Sequence, residues 1–183
     1  QLAFPELNYL AGEYGTFSRL RPLHTNGVAF GFTLSGVFAG WYYISQRVLK
    51  VSLKESPFLM AIAKLHFALY FITILLAVVT LFMGYTTSKE YAELEWPLDI
   101  LVVVFWVLWG ISIFGLIGIR RERTLYISIW YFIATFIAVA MLYLFNNMEV
   151  PTALVSGYGS WIHSVSMYAG TNDAIIQWWY GHN

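Results

Sequence analysis

Four histidines are the residues best suited to metal or redox chemistry in this chain of 183 residues: His24, His66, His163 and His182. The sequence contains no cysteine, which excludes disulfides, iron–sulfur clusters and thiolate chemistry. Any metal must therefore bind imidazole, carboxylate or carbonyl ligands.

His182 has the most distinctive surroundings of the four. It lies nine residues beyond a predicted helix cap at Asp173, about 13 Å into a membrane at the rise of an α-helix. The run Gln-Trp-Trp-Tyr-Gly-His-Asn covers residues 177–183. A neutral histidine at that depth indicates a metal ligand or a specific hydrogen bond. Copper held by imidazoles needs two or three of them together, so the co-ligands of His182 would lie on helices outside this chain.

The other histidines have simpler interpretations. His24 opens the first predicted helix near the outer surface, where an isolated histidine is more typical of a hydrogen-bonding residue than of a ligand. His66 is expected to make a polar contact to a neighbouring helix, and His163 is expected to be solvated in a long loop. Because His24 and His66 are expected in opposite leaflets, they cannot bind one iron between them.

These residues must be positioned by membrane helices, because the composition excludes a soluble globule. The chain is 59% apolar and 11% charged, whereas soluble domains carry roughly 25% charged residues. The formal net charge is zero, so no overall field favours nucleic acid. The predicted fold class is an all-α integral membrane protein, a multi-helix transmembrane bundle.

Four stretches are apolar over the roughly 20 residues that a transmembrane helix needs. They are predicted near residues 23–45, 57–84, 97–119 and 124–146. A fifth helix is predicted to begin near residue 172, with Asp173 as its N-cap. We find no internal repeat and no second domain, so residues 1–183 are expected to form one transmembrane domain.

The charges of the connections predict the orientation. Two connections are basic: Arg47, Lys50 and Lys54 follow the first span, and Arg120, Arg121 and Arg123 follow the third. The opposite connections carry Glu90, Glu93, Glu95, Glu149 and Asp173. By the positive-inside rule the basic connections are cytoplasmic, which places residues 1–23, 84–96 and 146–172 outside. Three carboxylates within residues 90–95 are equally compatible with a binding site and with a solvated loop.

Arg19 and Arg21 break this charge rule, because they precede the first span on the outer side. Two arginines there indicate a local negative partner. The residues leave open whether that partner is Glu6, Glu13, lipid headgroups or a more specific anionic group.

Four segments in order along the chain carry a family resemblance. They are residues 19–26 (RLRPLHTN), 87–97 (TSKEYAELEWP), 146–151 (NNMEVP) and 177–183 (QWWYGHN). Together they closely resemble the catalytic subunit, subunit I, of the cbb3-type cytochrome c oxidases, which form the C family of heme–copper oxidases. The resemblance implies a twelve-helix subunit, of which this chain corresponds to the N-terminal portion, from the end of the first helix into the sixth. The loop that contains residues 157–163 is longer than in many members.

The resemblance also implies roles for four residues. His24 matches an axial ligand of the low-spin heme b, and His182 matches one of three histidines that hold the copper opposite the high-spin heme b3. Arg21 matches an arginine near the heme propionates, whose charge would explain its position. Glu90 matches a carboxylate that binds a calcium ion between the propionates of the two hemes. The remaining ligands belong to later helices, so the chain alone is expected to be catalytically incomplete.

The function implied is that of a terminal respiratory oxidase, which reduces oxygen to water with electrons from cytochrome c and translocates protons. The implied partners are the remainder of the subunit, membrane-anchored cytochrome c subunits, cytochrome c and the lipid bilayer of a bacterial inner membrane. Two alternatives stay open: a nitric oxide reductase-like member of the same superfamily, and a non-enzymatic membrane scaffold or transporter segment without heme.

Overall fold

Helices make up most of the chain in the computed structural model, which describes residues 3–6 and 12–183. They are α1 Phe17–Asn26, α2 Leu34–Val48, α3 Pro57–Met83, α4 Trp96–Gly118, α5 Ile127–Asn146, α6 Thr152–Ser156 and α7 Thr171–His182. A π-helix, Gly27–Thr33, joins α1 to α2, and short 3-10 turns cover Gly12–Gly15 and Leu53–Glu55. Strands β1 Glu149–Pro151 and β2 Ser164–Ser166 pair antiparallel, with Val150 opposite Val165.

Four helices are long and apolar enough to cross a membrane: Phe17–Val48, Pro57–Met83, Trp96–Gly118 and Ile127–Asn146. In lipid, backbone N–H and C=O groups must be satisfied within the protein, and only helices or closed barrels achieve this. The predicted all-α membrane bundle is therefore confirmed.

The helix bounds differ from the predicted ones in three places. The first span begins at Phe17 rather than near residue 23, because Pro22 lies inside α1 instead of before it. The fourth span begins at Ile127 rather than near residue 124. Asp173 is not the cap of α7; that position is Gly170, and Asp173 lies in the first turn.

The ends of α3 illustrate how local sequence sets a span. The hydroxyl of Ser56 accepts a hydrogen bond from Leu59 N at 3.3 Å, and Pro57 occupies the first turn, where its missing N–H is not needed. At the other end Gly84 adopts a left-handed conformation with φ of 90°, which a glycine C-cap permits.

Close packing of α3, α4 and α5 builds the centre of the bundle. A Cβ at Gly110 would lie 2.4 Å from Phe136 Cζ, and one at Gly115 would lie 2.4 Å from Leu59 Cδ2. Small residues at such crossings let membrane helices approach closely. Trp41 and Trp109 are fully buried beside them. One end of the bundle contains the N-termini of α1 and α4 and the C-termini of α3 and α5. We call it the upper end.

Candidate functional site

His24 lies in α1, near the upper end of the bundle. Its side chain makes no hydrogen bond or ion pair within the described part of the chain. Its side chain is exposed, and Gly27, three residues further on and therefore on the same face, is also exposed. A Cβ at Gly27 would meet no atom within 4 Å. The His24 imidazole therefore opens onto space that extends close to the helix backbone.

The turn that carries His24 is fixed by polar contacts to the connection between α3 and α4. Arg21 Nη2 lies 2.8 Å from Glu90 Oε1, and both side chains are about half-buried. Asn26 Nδ2 donates at 2.8 Å to Glu93 Oε2 and also to the carbonyl of Pro22 at 2.8 Å. Residues more than 60 apart in sequence are thus held together, and they include the predicted site residues Arg21 and Glu90.

Arg19 has its own partners, separate from those of Arg21. Its guanidinium lies 3.4 Å from Glu13, donates to the carbonyl of Phe82 at 3.2 Å and stacks 4.9 Å above the ring of Tyr14. Of the partners left open by the sequence, Glu13 is the one that Arg19 contacts. The missing Cβ of Gly84 leaves room for this side chain, since a Cβ there would lie 3.1 Å from Arg19 Cζ.

The carboxylates of the α3–α4 connection do not form a solvated loop. Glu93 and Glu95 are each only 4% exposed. Glu95 accepts hydrogen bonds from Ser164 N and Ser164 Oγ, both at 2.8 Å, and lies 2.8 Å from His163 Nδ1. His163, which is expected to be solvated, keeps 46% of its side chain exposed while it pairs with Glu95 and stacks on Tyr85 with ring centroids 5.3 Å apart.

Lys89 joins three parts of the upper end, and the sequence did not single it out. Its side chain is 2% exposed, and its ammonium group donates to the carbonyl of Asn146, at the end of α5. The same group lies 3.4 Å from Asp173 in α7 and 5.6 Å from the ring centroid of Tyr168. A lone cation within a run of acidic residues is the sequence pattern that could have indicated the role of Lys89.

Asp99 is a second residue that sequence reasoning missed. It lies in the first turn of α4 and is 6% exposed. Its Oδ1 accepts hydrogen bonds from Tyr143 Oη at 2.6 Å and from Asn147 Nδ2 at 3.0 Å, which tie α4 to α5. An acidic residue inside an otherwise apolar span is itself a signal for a buried polar contact.

His182 ends α7, and its side chain is exposed. The helix is anchored close by, because Tyr180 Oη donates to the carbonyl of Tyr91 at 2.9 Å and Gly181 approaches the Tyr91 ring. The connection that contains Glu90 therefore contacts both α1, which carries His24, and α7, which carries His182. No hydrogen bond or ion pair joins the two histidines within residues 3–6 and 12–183.

His66 is buried between α2 and α3, as predicted for a polar contact to a neighbouring helix. It is 1% exposed, and its Nδ1 lies 3.1 Å from Tyr42 Oη. Within the described residues, no three His, Asp or Glu side chains are grouped closely enough to hold a metal ion. The predicted ligands His24, Glu90 and His182 are therefore not part of such a group in this part of the chain.

Comparison with known proteins agrees with the family resemblance. The chain matches the family described as Cytochrome C and Quinol oxidase polypeptide I over residues 1–183. It is 43% identical over 183 residues to the Cbb3-type cytochrome c oxidase subunit CcoN1 of Stutzerimonas stutzeri, with 100% of this chain and 36% of that protein covered.

Two further relatives give the same result. The chain is 40% identical over 187 residues to Cytochrome c oxidase subunit 1 of Rhodobacter capsulatus, covering 100% of this chain and 33% of the relative. It is 34% identical over 183 residues to a Cytochrome c oxidase subunit 1 homolog of Agrobacterium tumefaciens, covering 100% and 32%. The chain spans about a third of the length of these relatives. Because the family match covers every residue, the chain belongs to the cytochrome c and quinol oxidase polypeptide I family, the subunit I family of the heme–copper oxidases.

Proposed function

We propose that this chain is part of the catalytic subunit of a cbb3-type terminal oxidase, which reduces oxygen to water with electrons from cytochrome c and translocates protons. The observation that carries the proposal is the unbroken family match, together with 43% identity to a relative named as a cbb3-type oxidase subunit. When bound, heme iron and copper supply the electron transfer and the oxygen chemistry. The residues of this chain ligate those groups and set their electrostatic surroundings.

His24 is proposed as an axial ligand of the low-spin heme b. Three features of the structure support the fit: the exposed imidazole, the absence of any hydrogen bond to it from the described residues, and the open glycine at position 27. If His24 held the heme, room beside the helix backbone would be needed, and a residue with a Cβ at position 27 would reduce that room. The contacts of Asn26 and Arg21 hold this turn in place.

Arg21 and Glu90 are proposed to bind a heme propionate and a calcium ion, respectively. Guanidinium has five N–H donors, so the contact to Glu90 leaves donors of Arg21 for a second carboxylate. The Oε1 atom of Glu90 accepts from Arg21 at 2.8 Å, and the carboxylate keeps further lone pairs for calcium. Because calcium takes six to eight oxygen ligands, most of that shell would come from other groups.

His182 is proposed as one of three copper ligands, and its fit rests on donor chemistry and exposure. Imidazole suits copper, and the His182 side chain is exposed at the end of α7, with Tyr180 anchoring the helix. Residues 1–23, 84–96 and 146–172 are proposed to face the periplasm of a bacterial inner membrane, because the two basic connections lie at the opposite end. The remaining partners are the rest of the subunit, membrane-anchored cytochrome c subunits and cytochrome c as the electron donor.

Activity and spectra of the purified complete complex test the proposed function. We expect b-type heme bands in the reduced-minus-oxidised spectrum, and oxygen consumption with reduced cytochrome c. Nitric oxide reduction without oxygen reduction would instead assign a nitric oxide reductase. A complex with no heme bands would be a scaffold or transporter, and both results would contradict the proposal.

A further inference from the structure

A π-helix, Gly27–Thr33, interrupts the first span three residues after His24. It closes with a hydrogen bond from Leu34 N to the carbonyl of Ala29, five residues earlier. Inserting one residue into a helix rotates everything beyond it by about 100°, and such insertions are frequent at functional sites. The direction in which His24 points relative to α2 therefore depends on this segment staying π-helical.

Backbone carbonyls in the π-helix are satisfied by side chains from outside it. Tyr70 Oη of α3 lies 2.7 Å from the carbonyl oxygen of Phe30 and 2.9 Å from that of Gly31. Ser35 Oγ lies 2.5 Å from the carbonyl oxygen of Gly31 and 2.7 Å from Tyr70 Oη. The two hydroxyls supply two protons to two carbonyls, in a membrane interior where no water would replace them.

Tyr70 is itself held firmly in the bundle. Its side chain is 6% exposed, and its ring contacts Phe38 and Phe105 edge-on, with centroids 5.1 Å and 5.5 Å apart. These contacts fix the position of the hydroxyl against the first span. Tyr70 thus connects the packed centre of the bundle with the segment that sets the rotation of α1.

We propose that Tyr70 and Ser35 are positioning residues that hold the π-helix and thereby set the orientation of the His24 imidazole. The proposal rests on the proposed function, since it concerns His24 as a heme ligand. Outer groups that orient a ligating histidine are a general feature of metal sites. Here the orientation acts through the helix backbone rather than through a hydrogen bond to the imidazole.

The test replaces the two hydroxyls in the complete complex. Tyr70→Phe removes the donor and keeps the ring, and Ser35→Ala removes the second donor, whereas Ser35→Thr retains a hydroxyl. We expect both removals to speed amide hydrogen exchange of residues 27–36, by roughly tenfold for a lost hydrogen bond. We also expect them to shift the highest g value of the low-spin heme in the electron paramagnetic resonance spectrum, which depends on the axial ligand planes. Ser35→Thr should restore both wild-type readouts.

Tyr42→Phe is the matched control. Tyr42 is a tyrosine of α2 whose hydroxyl lies 3.1 Å from His66 Nδ1, away from the carbonyls of the π-helix. Its removal should leave the exchange of residues 27–36 and the heme spectrum unchanged. If Tyr70→Phe yields no folded complex, the comparison of Ser35→Ala with Ser35→Thr decides.

Two results would overturn the positioning role. One is unchanged exchange in Tyr70→Phe and Ser35→Ala, which would mean that the hydroxyls do not hold the π-helix. The other is faster exchange with an unchanged g value, which would confine their role to local stability. The variant His24→Ala separates failure of the positioning role from failure of the proposed function. A low-spin heme that survives in His24→Ala would show that His24 is not a ligand, whatever the hydrogen exchange shows.

Discussion

At the upper end of the bundle, polar side chains replace the apolar contacts that dominate the spans. Arg21 pairs with Glu90, and Asn26 pairs with Glu93, each at 2.8 Å. Buried polar groups are costly unless paired, so these contacts define one arrangement of the turn that carries His24. In that arrangement His24 is left free to bind a group from outside the described residues.

Replacing the proposed copper ligand, His182, gives the first prediction for a single residue. His182→Ala in the complete complex should lose copper and oxygen reduction, because copper selectivity relies on several ligands held together. The low-spin heme should persist, since His24 lies on another helix. Metal analysis and heme spectra of one sample measure both, and retained copper would make His182 a structural histidine. The 183-residue chain alone should bind no stoichiometric copper.

Glu90 gives the second prediction. Glu90→Gln in the complete complex should lower bound calcium, because a neutral amide is a weaker ligand than a carboxylate for a hard cation. Gln keeps the size of the side chain. Glu93→Gln is the matched control, since Glu93 is buried against Asn26, and it should retain calcium. Equal calcium content in wild type and Glu90→Gln, measured by metal analysis, would contradict the assignment.

The connections at the upper end act as structural elements in their own right. The α3–α4 connection meets the end of α5, β2 and α7 through Lys89, Glu95 and Tyr91. These contacts join segments that are distant in sequence, and they range from the buried Lys89 contact to the exposed Tyr180 contact. The sheet of β1 and β2 is therefore attached to the upper end by hydrogen bonds.

Loss of Lys89 should loosen this end of the bundle. Lys89→Met keeps much of the side-chain volume but leaves Asp173 and the Asn146 carbonyl without their cation. Breaking one side of a fully buried pair costs roughly 3 kcal/mol. The cost is smaller here because 29% of the Asp173 side chain is exposed, but the thermal unfolding midpoint of the complex should still fall. Lys64→Met, at an exposed lysine of α3, should change stability by no more than about 0.5 kcal/mol. Equal midpoints for the two variants would rule out the structural role of Lys89.

Glu149 in β1 gives a pH-dependent prediction. Burial raises the pKa of the Glu149 carboxyl, while a hydrogen bond from Ser164 and the charge of Lys89 act in the opposite direction. A carboxyl with a higher pKa in the folded state binds more protons when folded. Its contribution to stability is therefore present below the unfolded pKa and is lost as the pH rises through the folded pKa.

Replacing this carboxyl should flatten that dependence. Between about pH 5 and about pH 8, the unfolding midpoint of Glu149→Gln should fall less than that of the wild type. Glu6→Gln, at an exposed glutamate, should follow the wild type. A Glu149→Gln midpoint that falls as steeply as that of the wild type would show that burial does not govern this group.

On the scale of the whole molecule, the spans were predictable and the upper end was not. Apolar length alone predicts the four membrane helices, because lipid leaves the backbone few alternatives. The burial of Glu93 and Glu95 and the pairing of His163 depend on contacts across more than 60 residues, which no local pattern encodes. The predicted ligands came from a family resemblance, since a lone His24 or His182 does not by itself distinguish a ligand from a hydrogen-bonding side chain.

Above all, this chain is proposed to supply His24 to the low-spin heme of an oxidase subunit I. The most direct measurement is the reduced-minus-oxidised spectrum of the complete complex that carries His24→Ala, compared with His163→Gln as a control histidine at the upper end. We expect the low-spin b-type signal to disappear in His24→Ala and to stay at the wild-type level in His163→Gln. A low-spin signal of unchanged position and intensity in His24→Ala would contradict it.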